Sequence, residues 1–173
     1  MLTYTRKATQ ADLDAIIAIT DQAIAYLASQ NLPQWQGSEG PNRAEFLKAI
    51  EANIAYVLIY DGQVAGVAKL VPGPEQPYEA LDGSWQNNSQ DYVVIHRVAI
   101  DGTIRGKGLS KQLLRDLVTL AADQGFDDIR IDTHPSNAVM QHVITTVGFD
   151  YQGMIQMPVT RDGERKAYQL LLH

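Results

Sequence analysis

Apolar positions recur along the chain with two periods. Residues 10–30 place Leu13, Ile16, Ile17, Ile24 and Leu27 on one helical face. Thr9 followed by Asp12 predicts the start of that helix, because a hydroxyl accepts an orphan backbone N–H and a carboxylate suits the positive helix end. A short strand over 2–7 precedes it, and a polar link over 31–40 carrying Trp35 follows. Pro41 suits the first turn of a second helix with Phe46, Ala49 and Ile50 inside. The β-rich runs 54–60 and 63–71 meet at Asp61-Gly62, a dipeptide fitted to a tight hairpin turn. Residues 72–90 are rich in Pro, Gly, Asn and Ser without sustained period, which predicts a long loop, a type of segment that is often functional.

The second half alternates strand and helix. A strongly apolar strand over 92–100 leads into a glycine-rich loop and then a helix whose stripe is Leu109, Leu113, Leu114, Leu117, Val118 and Ala121, ending near Gly125. A strand over 129–133, a helix over 137–147 and strands over 149–155 and 166–172 around Asp162-Gly163 complete the chain. The order predicts one mixed α/β domain spanning 1–173, with hairpins near both ends and helical crossovers in the middle. No repeat or coiled coil is visible.

Composition narrows the chemistry. The 173 residues have 45% hydrophobic and 20% charged content, which is ordinary for a globular domain and unlike a disordered or collagenous chain. There is no cysteine, which removes disulfides, thiolate metal sites and a cysteine nucleophile. The opening MLTYTRKATQ lacks the apolar stretch of a signal peptide and no run is long enough to span a membrane, so the expected location is cytoplasmic. A net charge of −6 argues against nonspecific nucleic-acid binding; it favours a cationic substrate weakly and solubility at least as much.

The strand, Arg105-Gly106-Lys107-Gly108-Leu109-Ser110, and the helix behind it form an anion-site arrangement: glycines let backbone N–H groups approach an oxyanion and the helix start adds its dipole. A Walker loop fails because Gly102 is one residue too close to Gly106 and Gly108 stands where the magnesium-binding hydroxyl belongs. A dinucleotide fingerprint fails because it requires glycine at Lys111. The remaining pattern, Arg/Gln-x-x-Gly-x-Gly/Ala, resembles the pyrophosphate loop of the GNAT superfamily of acyl-CoA-dependent N-acetyltransferases, with Ser110 in place of the last small residue. A second block, Asp132 to Asn137, then Met140 and Gly148-Phe149, resembles the other conserved part of that superfamily. Pro33-Gln34-Trp35-Gln36 and Ile95-His96-Arg97-Val98-Ala99 resemble an uncharacterised bacterial subgroup of small members.

The resemblance implies a twisted, mixed but mostly antiparallel sheet of about six to seven strands flanked by about four helices. It implies acetyl-CoA as co-substrate, with pyrophosphate on the amides of Arg105, Gly106, Lys107, Gly108, Leu109 and Ser110. It implies pantetheine against the backbone of Val98 and Ile100 and against Asn137, with the amide near Val98 polarising the thioester carbonyl. No metal is implied. The acceptor is a small-molecule or peptide amine, and a homodimer is a possible assembly.

An ammonium must lose a proton before attack, and His96, with an unperturbed pKa of about 6.5, is the first candidate base; a histidine packed in the core is the competing reading. It is expected to share a strand face with Val94 and Val98, and Asp132 to share one with His134. Ile144 stands where many members of the superfamily carry the tyrosine that protonates the departing thiolate, so the acid is water or another tyrosine such as Tyr151. Trp35, Tyr78 and Trp85 are candidates to cage a cationic acceptor or, alternatively, to anchor the loops. Without cysteine, transfer is expected by direct attack in a complex holding both substrates; the rival function is a noncatalytic CoA-binding or regulatory module.

Overall fold

The computed structural model describes residues 1–159 and 161–173. Its elements are β1 (Thr3–Lys7), α1 (Leu13–Ser29), α2 (Arg43–Glu51), β2 (Ala55–Tyr60), β3 (Gln63–Pro72), the one-turn α3 (Gln76–Glu79) and β4 (Asp82–Gly83), followed by β5 (Val93–Ile100), α4 (Leu109–Asp123), β6 (Asp128–Thr133), α5 (Ala138–Val147), β7 (Asp150–Gln156) and β8 (Glu164–Leu171). They form one sheet in the order β1-β2-β3-β5-β6-β8-β7-β4. Every neighbouring pair is antiparallel except β5–β6. No helix among the described residues is long and apolar enough to cross a membrane.

Local chemistry accounts for most boundaries. The Thr9 N–H donates to Asp12 Oδ2 at 2.7 Å, closing a capping box ahead of α1. Arg6 forks onto the same carboxylate at 2.8 and 2.9 Å and, by this hydrogen bond above all, holds its pKa down at about 2. Asn42 caps α2, and Phe46, Ala49 and Ile50 are its buried side as the pattern predicts. Asp61 and Gly62 adopt φ of 50° and 81°, the doubly positive geometry of a type I′ hairpin. Along α1, Ile19 is buried while Ile17 and Ile24 are only half-buried.

The sheet is covered on both faces. On one face, α4 and α5 bring Leu113, Leu114, Leu117 and Ile144 onto Leu58, Ile95 and Ile131. On the other, α1 and α2 cover Val57, Val67 and Ala99, while Tyr78, Tyr92 and Leu81 cover Val94, Ile155 and Ala167. The expected loop over 72–90 is therefore a second, folded cover, and it supplies the helix and strand beyond the expected number. Its strand β4 pairs with β7 through Gly83 and Gly153, where a Cβ on either residue would collide with a carbonyl oxygen across the pair.

The cover is held by charge. β6 alternates Asp128, Arg130 and Asp132 on the face beneath it. Arg130, 1% exposed, lies between the rings of Trp85 and Tyr92 at 4.1 and 3.8 Å and donates to Asp128 at 3.1 and 2.8 Å. It also donates to the carbonyls of Asn87 and Ser89, and Gln169 completes the carboxylate at 3.0 Å. No described buried side-chain nitrogen or oxygen lacks a partner. Arg130→Leu leaves Asp128 as an uncompensated buried charge, with an expected loss of about 3–5 kcal/mol in urea unfolding.

Candidate active site

β5 and β6 are hydrogen-bonded neighbours only along Val93–Ile95 and Ile129–Ile131; beyond Ile95 the two strands part. The register on the other side of β5 slips at the same place. Lys69 faces His96 and Val67 faces Ala99, so Ala68 alone stands opposite both Arg97 and Val98. This bulge puts Arg97 at φ 57°, a left-handed conformation that costs a non-glycine residue about 1–2 kcal/mol. Its guanidinium is fixed on Glu45 of α2 at 2.9 and 3.1 Å and on the Glu39 carbonyl at 3.2 Å, beside the Trp35 ring at 5.6 Å. Burial pushes the Glu45 carboxyl up, but Arg97 and then Lys69 outweigh it and hold it below its ordinary value.

A cavity of about 1060 Å³ opens where the strands part, lined among others by His96, Asp132, Asn137, Trp35, Arg105 and Ser110. The bulge corrects the expected faces. Val94 and His96 do point the same way, but Val98 is turned to the α4/α5 side together with Ile100. Both residues still line the cavity.

His96 stands in a cluster rather than alone. Its Nε2 lies 2.9 Å from both carboxylate oxygens of Glu75, the residue that precedes α3. The Ile95–Ile131 pairing sets His96 beside Asp132 on the next strand. The Tyr78 hydroxyl donates to Asp132 Oδ2 at 2.5 Å, and the Tyr78 ring meets His96 edge-on at 6.3 Å. Burial is the main reason that both the Tyr78 hydroxyl and the Asp132 carboxyl titrate above their ordinary values; the His96 charge and the Tyr78 bond pull Asp132 the other way.

The glycine loop has the geometry of an anion cradle. Gly106 and Gly108 sit at φ 69° and 67°, and a Cβ on either would meet nothing within 4 Å. Gly108 is the N-cap of α4 and no side chain caps the helix, leaving its first amides to another acceptor. Arg105 and Lys107 are exposed, Ser110 is half-buried, and the Leu109 side chain enters the core so that only its backbone faces the loop. Asn137 accepts from the Met140 N–H at 3.1 Å, capping α5, and donates to Gln34 across the cavity at 3.1 Å.

Other expected residues lie elsewhere. Tyr78 is fully buried, stacks on Trp85 at 5.9 Å and receives the Trp85 Nε1–H on its carbonyl, so these two rings anchor the 72–90 cover and do not line the cavity. Trp35 does line it. Tyr151 is 52% exposed against Tyr168, on the α4/α5 side of the sheet and outside the cavity. His134 follows β6 and is tied to Asp162 at 2.9 Å and to the Ser136 N–H at 3.0 Å, a structural role apart from Asp132. No group of three potential metal ligands occurs among the described residues. Glu45 and Glu75 carry no periodic signal and escape sequence reading, whereas the alternating charges of β6 could have announced a covered polar face.

Tyr78→Phe removes a hydrogen bond that favours ionised Asp132. The Asp132 carboxyl is therefore expected to titrate higher still, an upward displacement that carboxyl carbon NMR across a pH series would register and whose absence would count against the bond's role.

Comparison with known proteins agrees with this geometry. A crystal structure of a GNAT-family acetyltransferase from Streptococcus agalactiae is 34% identical, with 99% of this chain and 96% of that one covered at a TM-score of 0.88. The yncA protein of Salmonella typhimurium, solved with its cofactor acetyl-CoA, is 20% identical over 99% and 94% of the chains at 0.72. AAC(6')-Ib, solved with ribostamycin and coenzyme A, is 22% identical over 99% and 94% at 0.71. No curated protein gives a significant match. The model of the acetyltransferase (GNAT) family matches residues 21–149, most of the chain, and the protein belongs to that family.

Proposed function

We propose that the protein transfers an acetyl or other short acyl group from acetyl-CoA to an amine. The observation that carries this reading is the parting of β5 from β6 at the Arg97 bulge, which lays β5 backbone along a cavity leading to the uncapped start of α4. The residues fit the co-substrate. Open positive-φ glycines and free first-turn amides suit a pyrophosphate, and the exposed Arg105 and Lys107 add charge beside it. Val98 and Ile100 lie past the last β5–β6 pair and line the cavity, which supports assigning them to the pantetheine arm. The solved relatives that hold acetyl-CoA or coenzyme A support the same assignment.

Acetyl-CoA brings an activated acyl group as a thioester. The Val98 N–H, at the bulge, is the group assigned to polarise the acyl oxygen. Glu75 accepts Nε2–H of His96 and orients the ring, leaving Nδ1 to take the proton from the acceptor's ammonium. The amine nitrogen then bonds to the acyl carbon as the carbon–sulfur bond breaks. A thiol near pKa 8.5 is a tolerable leaving group, so solvent suffices to protonate it and the position of Tyr151 is no obstacle. The chain has no cysteine, so the route is direct attack with both substrates bound.

His96→Ala is expected to lower kcat by about 100-fold with little change in CoA affinity, read by steady-state kinetics and calorimetry. A variant that binds acetyl-CoA but shares its lack of turnover with wild type across an amine panel would favour the noncatalytic module. Gly108→Asn keeps the left-handed backbone that asparagine tolerates while filling the cradle, and should weaken CoA binding about tenfold or more with an unchanged melting temperature.

A further inference from the structure

We propose that the acceptor is a free α-amino acid with an apolar side chain, its carboxylate bound by Arg165 and its amine presented to His96 and Asp132. This deepens the acyl-transfer reading and rests on it. Arg165, on β8, is 8% exposed and lines the cavity. Its Nη1 donates to the carbonyls of Asp162 and Glu164 at 2.8 and 2.7 Å, and it forms no ion pair within 4.0 Å among the described residues. The carboxylates whose fields reach it are Asp132, Asp162 and Glu39. Asp132 already accepts from Tyr78, and Asp162 is paired with His134. Burial lowers the guanidinium's pKa more than any of these charges raises it. A guanidinium carries three further donors on Nε and Nη2 in a fork that matches a carboxylate.

The spacing selects the substrate. Asp132 pairs with Ala167 across β6–β8, so Arg165, two residues earlier, is its diagonal neighbour on the same face, about 7–8 Å away along the backbone. His96 flanks Asp132 from the other side. Base, anion and cation thus lie in a row across three strands, a complement to a zwitterion whose ammonium and carboxylate straddle one carbon. A polyamine or aminoglycoside would set a second cation against Arg165 and supply nothing to pair with it. Trp35, Met157, Pro158 and Val159 line the same cavity and give an apolar wall for the side chain.

The test compares L-leucine, L-methionine and L-phenylalanine with their amides and decarboxylated amines, in wild type, Arg165→Gln and Arg165→Lys. Turnover is measured with acetyl-CoA and binding by calorimetry on CoA-saturated protein, with melting curves to check folding. The expected result is a kcat/KM at least 30-fold higher for the acids than for the amides in wild type. Arg165→Gln should abolish that preference, lowering the acids at least 30-fold and the amides less than 3-fold, with partial recovery in Arg165→Lys. Equal use of acids and amides by wild type, or preference for the decarboxylated amines, overturns the inference and leaves acyl transfer standing; this arm holds even if both variants fail to fold. Amino-acid binding that is carboxylate-dependent but unaccompanied by turnover supports the site and counts against acyl transfer. Neither binding nor turnover of any acid overturns the inference.

Discussion

One extra residue in β5 governs the site. Because Arg97 and Val98 together oppose Ala68, the strand bends away from β6, and the interior of a parallel pair becomes a cavity wall. The bend carries a cost, since Arg97 must hold φ 57°. That cost is offset by the Arg97–Glu45 fork, which draws α2 and the 31–40 link onto the same point. The side chain that strains the backbone also secures it. A glycine at 97 would relax the strain and lose the tie between the central strand and the α1/α2 layer.

The opposite wall obeys a different constraint. β6 presents three charges on one face, and a folded cover must neutralise them. Asp128 and Arg130 answer each other in the deepest part, with Gln169 and two carbonyls completing their bonds. Asp132, at the end where β5 departs, receives only the Tyr78 hydroxyl from that cover and otherwise looks into the cavity. One strand therefore passes from purely structural charge to chemically available charge within five residues, and the change follows from where its parallel neighbour leaves it.

What was legible in the sequence was what is local. The Asp61-Gly62 turn, the α2 core face and the capping box at Thr9 each depend on a few adjacent residues and appear as read. The face of Val98 was not legible, because a bulge depends on the register with β3 and breaks the period of two from outside. Tyr78 and Trp85 read as loop aromatics, yet Tyr78 is fully buried and Trp85 half-buried because Arg130 and Asp132, some fifty residues later, demand a cover. Glu75 was invisible for the same reason: its meaning comes from His96, on a different element.

The net charge of −6 is a poor guide to this site. Long-range steering by an acidic surface is screened within about 10 Å at ordinary salt, whereas the groups at the cavity act at contact distance. There, Lys69 and Arg97 are both engaged by Glu45, and Glu75 is engaged by His96. Asp132 and Arg165, which are of opposite sign, line the same cavity. Recognition at such a site depends on where two charges stand relative to each other, and an excess of acidic residues over the whole chain contributes little to it.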